Sequence, residues 1–340
     1  FQAEDGIRDF CLSRGLGDVY KRQTENTILA NGHIERFLSF RNNDLPGVML
    51  AASFEKYIQR YDVVPDNNPV IFTNNSSTFS LLKLLIDRKS MPKAYVDVRD
   101  LKKIEKETLD LLEAYNIPFY PKSEIEGCDG NSGIKNISVR TKKNKIIKIK
   151  ASMLCVSGGI NPDIHLFTQS KGLVKWDEKI LTFKPEKSFQ KTITLGSVSG
   201  NFIFKNIIDE VNKKLNFIDG VNDIDLKIEV NGSEEFNIKE IWETKNNNKS
   251  LWSKSFIDLQ NDVTTKDLTQ AIREGFDRIE HLKRFTTNSM GTDQGKISSI
   301  NALGIVSKLL KKSVSEVGTT TYRPPYNPVS FSAIAGRSTY

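Results

Sequence analysis

Residues 68–100, NPVIFTNNSSTFSLLKLLIDRKSMPKAYVDVRD, constrain the fold most, because two apolar stretches flank one amphipathic segment. Val70 to Phe72 are typical of a buried strand, and Ala94 to Val98 of a second one. Between them, Phe79, Leu82 and Leu85 follow helical spacing, and Ser76 or Ser77 can cap that helix. The stretch predicts a βαβ unit.

The turn after the first of these strands is the natural place to look for a nucleotide site. In a dinucleotide site this turn is rich in glycine, so that backbone N–H groups reach the pyrophosphate. Here it is Thr73-Asn74-Asn75-Ser76-Ser77, without glycine. Asp97 lies near the spacing at which an acid meets a ribose. The pattern favours a βαβ unit kept as scaffold and leaves a nucleotide site as the alternative.

Two other strand-to-turn junctions are candidate cofactor-binding sites. Ile28 to Ala30 predict a short strand that runs into Asn31-Gly32, where backbone can approach a ligand closely. TLGSVSGNFIFKNIIDEV predicts a strand, a turn with Gly196, Ser197 and Gly200, and a helix whose first N–H groups can face a phosphate. Between the junctions we expect a helix from Leu101 to Tyr115, a hairpin around Lys-Lys-Asn-Lys and a return strand from Met153 to Val156.

The C-terminal third is helical by its spacing. Leu268, Ile272, Phe276, Ile279 and Leu282 predict one helix over 266–285, with Thr264 and Asp267 as a capping box. Ile300, Leu303, Val306 and Leu309 mark the next helix. The stretch TTNSMGTDQGKISS therefore connects two packed helices.

Composition excludes several classes of protein. The chain has 340 residues, enough for roughly two domains. Cys11, Cys128 and Cys155 are odd in number and widely spaced, which argues against a disulfide framework or a cysteine-ligated metal and favours a reducing, cytoplasmic setting. No apolar run reaches the roughly 18 residues of a membrane span. The formal charge of +7 is scattered along the chain, so we expect no nucleic-acid partner.

The first 23 residues, FQAEDGIRDFCLSRGLGDVYKRQ, have no sustained helix or strand period. They resemble the translated sequencing-adapter peptide that contaminates assembled reading frames, and we expect them not to belong to the fold. A disordered natural extension is the alternative. Both interpretations predict a segment 1–23 that packs against nothing.

Four stretches carry a specific family resemblance: LANGHIERFLSFRNNDLPGVMLAASFEKYIQRY, VIFTNNSS, VSGGINPDIHLFTQSKGLVKWDEKILTF and DLQNDVTTKDLTQAIREGFDRIEHLKRFTTNSMGTDQGK. They resemble the alpha subunits of heterotetrameric sarcosine oxidases over nearly all of residues 24–337. The resemblance implies an α/β, Rossmann-type core like that of two-dinucleotide-binding-domain flavoproteins. A small helical domain would follow it, resembling a [2Fe–2S]-binding domain without a cluster.

The resemblance also implies an activity and partners. Such an alpha subunit belongs to a multi-flavin complex that oxidises sarcosine and passes a one-carbon unit to tetrahydrofolate. FAD lies in the beta subunit, FMN at the alpha–beta interface and NAD in the alpha subunit, with further small subunits. We expect the family's first glycine-rich fingerprint upstream and its folate-type domain downstream, so that this chain is a fragment. The alternatives are the large subunit of an N-methylglutamate or opine dehydrogenase, and a structural subunit that binds no cofactor.

These considerations divide the chain into five predicted parts: the extension 1–23, the FAD/NAD(P)-binding-like domain 24–215, a connecting segment 216–255, the helical domain 256–316 and a proline-containing loop 317–340. In that loop, VGTTTYRPPYNP is expected to contribute Thr319, Thr320, Thr321 and Arg323 to the FMN site. Threonines supply hydroxyl donors, and arginine supplies a planar charge suited to phosphate. An inter-domain connector is the alternative.

No catalytic acid, base, nucleophile or metal ligand is predicted. No second titratable partner is identified for His281, and we expect His33 and His165 to be equally isolated. Within the helix connection, Lys296 is a candidate phosphate contact, although a structural role for the stretch is favoured.

By the same resemblance, the four cluster ligands of [2Fe–2S] domains fall on Asp258, Gln260, Asp293 and Ser298. None is a thiolate, and such clusters are held by thiolates. We therefore expect the purified protein to contain no stoichiometric iron or acid-labile sulfide. Two irons per chain in elemental analysis would contradict both the expectation and the alignment.

Overall fold

The computed structural model describes residues 24–215, 236–245, 254–324, 327 and 329–331. The predicted extension 1–23, most of the predicted connecting segment and most of the chain after Pro324 lie outside these residues.

The described strands are short and follow one another in the order expected of a mixed α/β chain. They are β1 (Thr27–Leu29), β2 (His33–Glu35), β3 (Val48–Leu50), β4 (Val70–Thr73), β5 (Ala94–Asp97), β6 (Phe119–Pro121), β7 (Glu124–Asp129), β8 (Asn136–Arg140), β9 (Ile146–Lys150), β10 (Leu154–Ser157), β11 (Ile160–Pro162), β12 (Leu173–Asp177), β13 (Thr182–Lys187), β14 (Thr192–Thr194), β15 (Phe256–Asp258) and β16 (Val263–Thr264).

The described α-helices lie mostly between the parallel strands and after residue 264. They are α1 (Ala51–Tyr61), α2 (Phe79–Asp87), α3 (Lys106–Ala114), α4 (His165–Gln169), α5 (Phe204–Leu215), α6 (Thr265–Arg273), α7 (Ile279–Thr286), α8 (Ser299–Leu310) and α9 (Val314–Val317). Short 3₁₀ turns cover Ser76–Thr78, Leu101–Lys103 and Gly196–Ser199.

A five-stranded parallel sheet in the order β3-β10-β4-β5-β6 is the centre of the larger domain. All four residues of β4 and of β5 are buried, as expected for parallel strands covered on both faces. The predicted βαβ unit is therefore confirmed. The predicted hairpin is also confirmed, as β8 and β9, and β7 joins it in a three-stranded antiparallel sheet.

Alternate residues of the parallel strands face two different cores, because side chains on a strand point to opposite faces in turn. Val70 and Phe72 pack with Val139 and the rest of the antiparallel sheet. Ile71 and Tyr95 pack instead against the helices, with Phe54 of α1 among their neighbours. The domain is therefore built as three layers: antiparallel sheet, parallel sheet and helices.

Strands from before and after the five-stranded sheet pair with each other in two small sheets. β1 pairs in parallel with β14, and β2 pairs antiparallel with β11. The chain thus enters the five-stranded sheet after β2 and leaves it before β11, side by side.

The helical part shares an apolar core with the β12–β13 hairpin, whose Trp176 and Phe183 belong to the same cluster. Trp242 is almost completely buried there, with Leu303 and Val306 of α8 in the same cluster. A Cβ atom added to Gly304 would lie 2.1 Å from the Trp242 ring, so only glycine allows α8 to approach that closely.

Three local predictions were wrong. The helix expected over 266–285 is two helices, because Gly275 takes a φ of +91° between α6 and α7. The helix expected from Leu101 is a 3₁₀ turn, then an extended Ile104, then α3. The turn before α2 is capped by the Asn75 side chain, which accepts from the Ser77 N–H, and not by a serine. The Thr264–Asp267 capping box is confirmed.

One buried carboxyl makes stability depend on pH. Glu35 is 8% exposed and accepts a hydrogen bond from the Ala52 N–H at 2.7 Å, at the start of α1. Burial raises the pKa of Glu35 to about 7, against the opposing effect of hydrogen bonds from Ser157 and Ala52. Because the folded pKa is the higher one, its stabilising contribution is complete below the unfolded pKa and is lost as pH rises through about 7.

Glu35→Gln should remove this dependence. Relative to wild type, the free energy of unfolding of the variant should rise by about 2 kcal/mol between pH 5 and pH 8, measured by urea denaturation. Glu107→Gln, at an exposed carboxyl on α3, is the control. A difference between Glu35→Gln and wild type that stays constant with pH would contradict the assignment.

Candidate functional site

The loop between α7 and α8, residues 287–298, has a backbone that few sequences allow. Thr287, Ser289 and Gln294 take positive φ angles, as does Gly295. A Cβ atom on Gly295 would also lie 2.2 Å from the Ser299 hydroxyl and 2.3 Å from the Ser289 Cβ. The glycine is therefore required both by backbone conformation and by close contact.

Hydrogen bonds from the preceding β15–β16 turn hold this loop. Asp258 accepts from the Gln260 N–H at 2.9 Å and from the Ser289 N–H at 2.7 Å. Gln260 Oε1 in turn accepts from the Asp293 N–H at 3.4 Å. The Ser289 and Ser298 hydroxyl oxygens are 3.2 Å apart.

All four positions that the resemblance assigned to cluster ligands thus surround one loop and take part in its hydrogen bonds. Within the described ranges, no group of three or more His, Cys, Asp or Glu side chains is arranged to hold a metal ion. The geometry supports the interpretation that this stretch connects and orders its own helices.

The threonine segment, residues 319–323, contacts that loop directly. The Arg323 N–H donates to Gln294 Oε1 at 3.0 Å. Between its exposed neighbours Thr321 and Arg323, Tyr322 is buried, and its ring centroid is 3.5 Å from that of His165. Burial raises the pKa of the Tyr322 hydroxyl to about 12, with a hydrogen bond from Ser299 acting in the opposite direction. Tyr322 is the anchor of the segment.

α7, the loop and the segment enclose an open cleft of ≈ 770 Å³. This basic cleft is lined by Glu280, Lys283, Arg284, Ser289, Met290, Gly291, Gln294, Thr321, Tyr322 and Arg323. A small cavity of ≈ 10 Å³ beside it is lined partly by Thr319 and Thr320.

The electrostatics of the basic cleft favour an anion. Burial lowers the pKa of Lys283; Glu280 raises it, whereas the nearby positive charges of Arg284 and Arg323 lower it further. The Arg284–Glu280 ion pair, at 3.4 Å, is exposed and weak. Three cations therefore share one cleft with a single carboxylate among its lining residues.

Four of the predicted site residues meet here: Thr321 and Arg323 line the basic cleft, and Thr319 and Thr320 line the adjoining cavity. Lys296 belongs to the loop, where its N–H donates to the Asp293 carbonyl at 3.2 Å, but it is not among the lining residues of the cleft. Sequence reasoning missed Lys283 and Arg284. The available signal was two adjacent basic residues in the last turn of a helix.

The other four predicted residues lie elsewhere. Asn31 donates to the Asp163 carbonyl at 2.5 Å, and Gly32 has a φ of +84°. Gly196, a predicted cofactor-binding residue in the turn before α5, donates its N–H to Glu210 Oε2 at 3.0 Å. The Ser197 carbonyl accepts a hydrogen bond from the Gly200 N–H at 3.0 Å. The Gly196 donor is thus directed at a carboxylate of the chain itself.

The fold defines the class of protein. It is an α/β, Rossmann-type fold followed by a helical domain. It superimposes on the crystal structure of L-proline dehydrogenase from P. horikoshii with a TM-score of 0.62 and 20% identity, over 92% of this chain and 58% of that one. A likeness at this identity concerns the fold alone.

Within that class, residues 252–337 match the sarcosine oxidase A3 domain family. The chain is 33% identical to sarcosine oxidase subunit alpha of Rhizobium meliloti (strain 1021) over 334 residues, which is 92% of this chain and 31% of that protein. It is 26% identical to the subunit of the same name from Corynebacterium sp. (strain P-1), over 94% of this chain and 34% of that protein. The predicted resemblance to sarcosine oxidase alpha subunits is confirmed.

The chain spans about a third of the length of these relatives. In the part of the chain that the structure describes, no helix is long and apolar enough to cross a membrane.

The loop contacts predict a large cost for losing one carboxylate. Asp258 is 2% exposed and accepts from three backbone N–H groups, those of Gln260, Asn261 and Ser289. Asp258→Ala leaves all three without their acceptor and should lower the free energy of unfolding by about 2–4 kcal/mol, measured by urea denaturation.

Asp258→Asn, which keeps one acceptor oxygen, should lose less. Asp277→Ala, at an exposed carboxyl between α6 and α7, should change stability little. Equal losses for Asp258→Ala and Asp277→Ala would show that the loop does not depend on these bonds.

Proposed function

We propose that this chain is part of the alpha subunit of a sarcosine-oxidase-type complex, and that its basic cleft holds FMN where the beta subunit docks. One observation carries the proposal. A segment predicted from sequence to bind FMN phosphate, residues 319–323, lies beside two basic residues of α7 that were not part of that prediction. Independent parts of the chain thus supply donors to the same space.

The residues of the basic cleft fit a flavin phosphate by type. Arg323 and Arg284 offer planar forks of N–H donors, Lys283 adds a third charge, and the Thr321 hydroxyl adds a neutral donor. Met290 is 55% exposed and offers a flexible apolar surface of the kind that ring systems contact. When bound, FMN supplies electron transfer; the chain supplies position and electrostatics.

Lys283 is suited to hold an anion because of its neighbours. Its own charge is disfavoured by burial and by Arg284 and Arg323. A phosphate dianion among these three side chains would relieve that repulsion, and each charge-assisted hydrogen bond to it would be about twice as strong as a neutral one. The function of the three side chains is to bind and orient, with no proton transfer assigned to them.

The relatives are named as subunits, and we infer the rest of the activity by analogy with them. In the proposed complex the beta subunit carries the amine site and FAD. The complex oxidises N-methyl amines such as sarcosine and transfers the one-carbon unit to tetrahydrofolate, with further small subunits and NAD. The protein is proposed to be cytoplasmic, and the chain alone inactive.

Arg323→Ala tests the cofactor site. In a complex reconstituted with a sarcosine-oxidase-type beta subunit, the variant should lose a charge-assisted hydrogen bond to phosphate. FMN retention should then weaken about tenfold, measured as released FMN fluorescence after gel filtration. Affinity for the beta subunit, measured by titration, should change much less.

Arg273→Ala is the matched control, since Arg273 is an exposed arginine on α6 outside the basic cleft. It should retain FMN like wild type. Full FMN occupancy in Arg323→Ala, with unchanged affinity for the beta subunit, would make residues 317–328 a connector only. No flavin in the wild-type complex would favour a structural subunit.

A further inference from the structure

The carboxyl ends of β4 and β5 are where a dinucleotide would be expected. In open parallel sheets ligands bind at that edge, with the pyrophosphate on the turn after one strand and an acidic residue on the ribose. Here the corresponding groups are the N–H groups of residues 75–77 and the carboxylate of Asp97. Whether a nucleotide fits depends on what these groups already contact.

The N–H groups of the turn are all directed at atoms of the chain. Asn75 donates to Thr73 Oγ1 at 3.1 Å. Ser77 donates to Asn75 Oδ1 at 2.9 Å. Ser76 donates to the carbonyl of Asn237, 161 residues away, at 3.1 Å. A pyrophosphate would therefore have to displace existing bonds at each donor.

Asn237 belongs to a segment, residues 236–245, that we name the strap. It pairs with the turn as a short antiparallel strand would, through a bridge between Asn75 and Ile238. The Lys239 N–H donates to the Asn74 carbonyl at 2.8 Å, and Asn74 Nδ2 donates to the Lys239 carbonyl at 2.8 Å. The strap covers the turn with backbone, not with a mobile side chain.

The ribose position is also filled. Asp97 is fully buried, and its carboxylate accepts from Arg99 Nη2 at 2.9 Å and from Arg99 Nε at 3.2 Å. The other amino group of Arg99, Nη1, donates to Glu105 at 3.0 Å, to the Ser76 hydroxyl at 3.0 Å and to the Asn237 carbonyl at 3.3 Å. One guanidinium thus binds the acid, the turn and the strap together.

The other half of the strap packs into the helical domain. Trp242 is buried against Gly304 of α8. Glu240 pairs with Lys308 at 3.2 Å, and the Thr244 N–H donates to the Ser39 carbonyl at 2.9 Å. The strap therefore links the edge of the parallel sheet to the domain that carries the basic cleft.

We propose that the strap is an internal ligand of the 70–97 βαβ unit: together with Thr73 Oγ1 and Asn75 Oδ1 it takes the place of a pyrophosphate, Arg99 takes the place of the ribose hydroxyl, and this unit binds no NAD or other dinucleotide. The unit serves instead as the dock that fixes the strap and, through it, the helical domain. The alternative interpretation of the turn as a nucleotide site does not fit these contacts. The inference is independent of whether the basic cleft binds FMN.

Hydrogen–deuterium exchange of the full chain tests it. With millimolar NAD⁺ or NADH, and separately ATP, peptides covering residues 70–80 and 236–242 should exchange at the same rates as without nucleotide. Nucleotide-dependent protection of 70–80, or faster exchange of 236–242 as the strap is displaced, would overturn the proposal.

Ser76→Ala probes the dock itself. The Ser76 hydroxyl accepts a hydrogen bond from the Asn237 N–H at 3.0 Å. Loss of this bond should speed amide exchange in residues 236–242 about tenfold, which corresponds to the free energy of one hydrogen bond. Ser80→Ala, an exposed serine on α2, should leave that exchange unchanged. Equal exchange in the two variants would mean that the strap is not held by the turn.

Discussion

One buried guanidinium holds the point where the chain passes between its two α/β parts. Arg36 is 1% exposed; its Nε donates to the Gly158 carbonyl at 2.7 Å, and its Nη1 donates to Asn161 Oδ1 at 2.9 Å and to the Leu181 carbonyl at 2.8 Å. It also lies 5.2 Å from the centre of the Trp242 ring. Burial lowers its pKa to about 9, so it remains charged at neutral pH and must keep these partners. The entry to the parallel sheet, the exit from it and the strap therefore have one common support, and the basic cleft depends on it indirectly through Trp242.

The potential anion sites of the chain differ in whether their donors are already hydrogen-bonded within the chain. At Gly196 the donor is already satisfied by Glu210, and at the 75–77 turn the donors are satisfied by Thr73 Oγ1, the Asn75 side chain and the strap. A ligand there would have to replace internal hydrogen bonds. Its binding would be favoured only by the difference in free energy between its own hydrogen bonds and the internal ones. In the basic cleft, Lys283, Arg284 and Arg323 share the lining with a single carboxylate, Glu280. Burial lowers the pKa of Lys283, with Glu280 opposing and the two arginines adding to that effect, and an anion would offset the excess of positive charge. An anion is therefore expected in the basic cleft because of its charges. At Gly196 and at the 75–77 turn the fold only resembles a nucleotide site.

What could be predicted from sequence was local, or came from resemblance. The buried strands, the hairpin and the Thr264–Asp267 box follow from patterns within a dozen residues, and all three are confirmed. The break at Gly275 was missed because the apolar face continues across it, so that spacing alone cannot show a φ of +91°. The contact between Ser76 and Asn237 spans 161 residues and involves backbone atoms, which carry no residue-type signal. Lys283 and Arg284 line the basic cleft together with Arg323, which comes from the segment after the helical domain, so no local pattern groups the three.

The burial of Tyr322 is compatible with both interpretations of the threonine segment, as a connector and as a flavin contact. Its ring lies on His165. The prediction that His165 has no titratable partner was wrong, because its Nδ1 is 2.7 Å from Asp163 Oδ1. The Asp163 carbonyl in turn accepts from Asn31. The segment is thereby fixed to the α/β part of the chain as a connector would be. Burying Tyr322 leaves Thr321 and Arg323 exposed on either side of it, at the wall of the basic cleft. Because the backbone of the segment is already ordered, a ligand that uses these two side chains has less conformational entropy to remove on binding. Anchoring therefore makes the connecting segment suited to the binding role proposed for it.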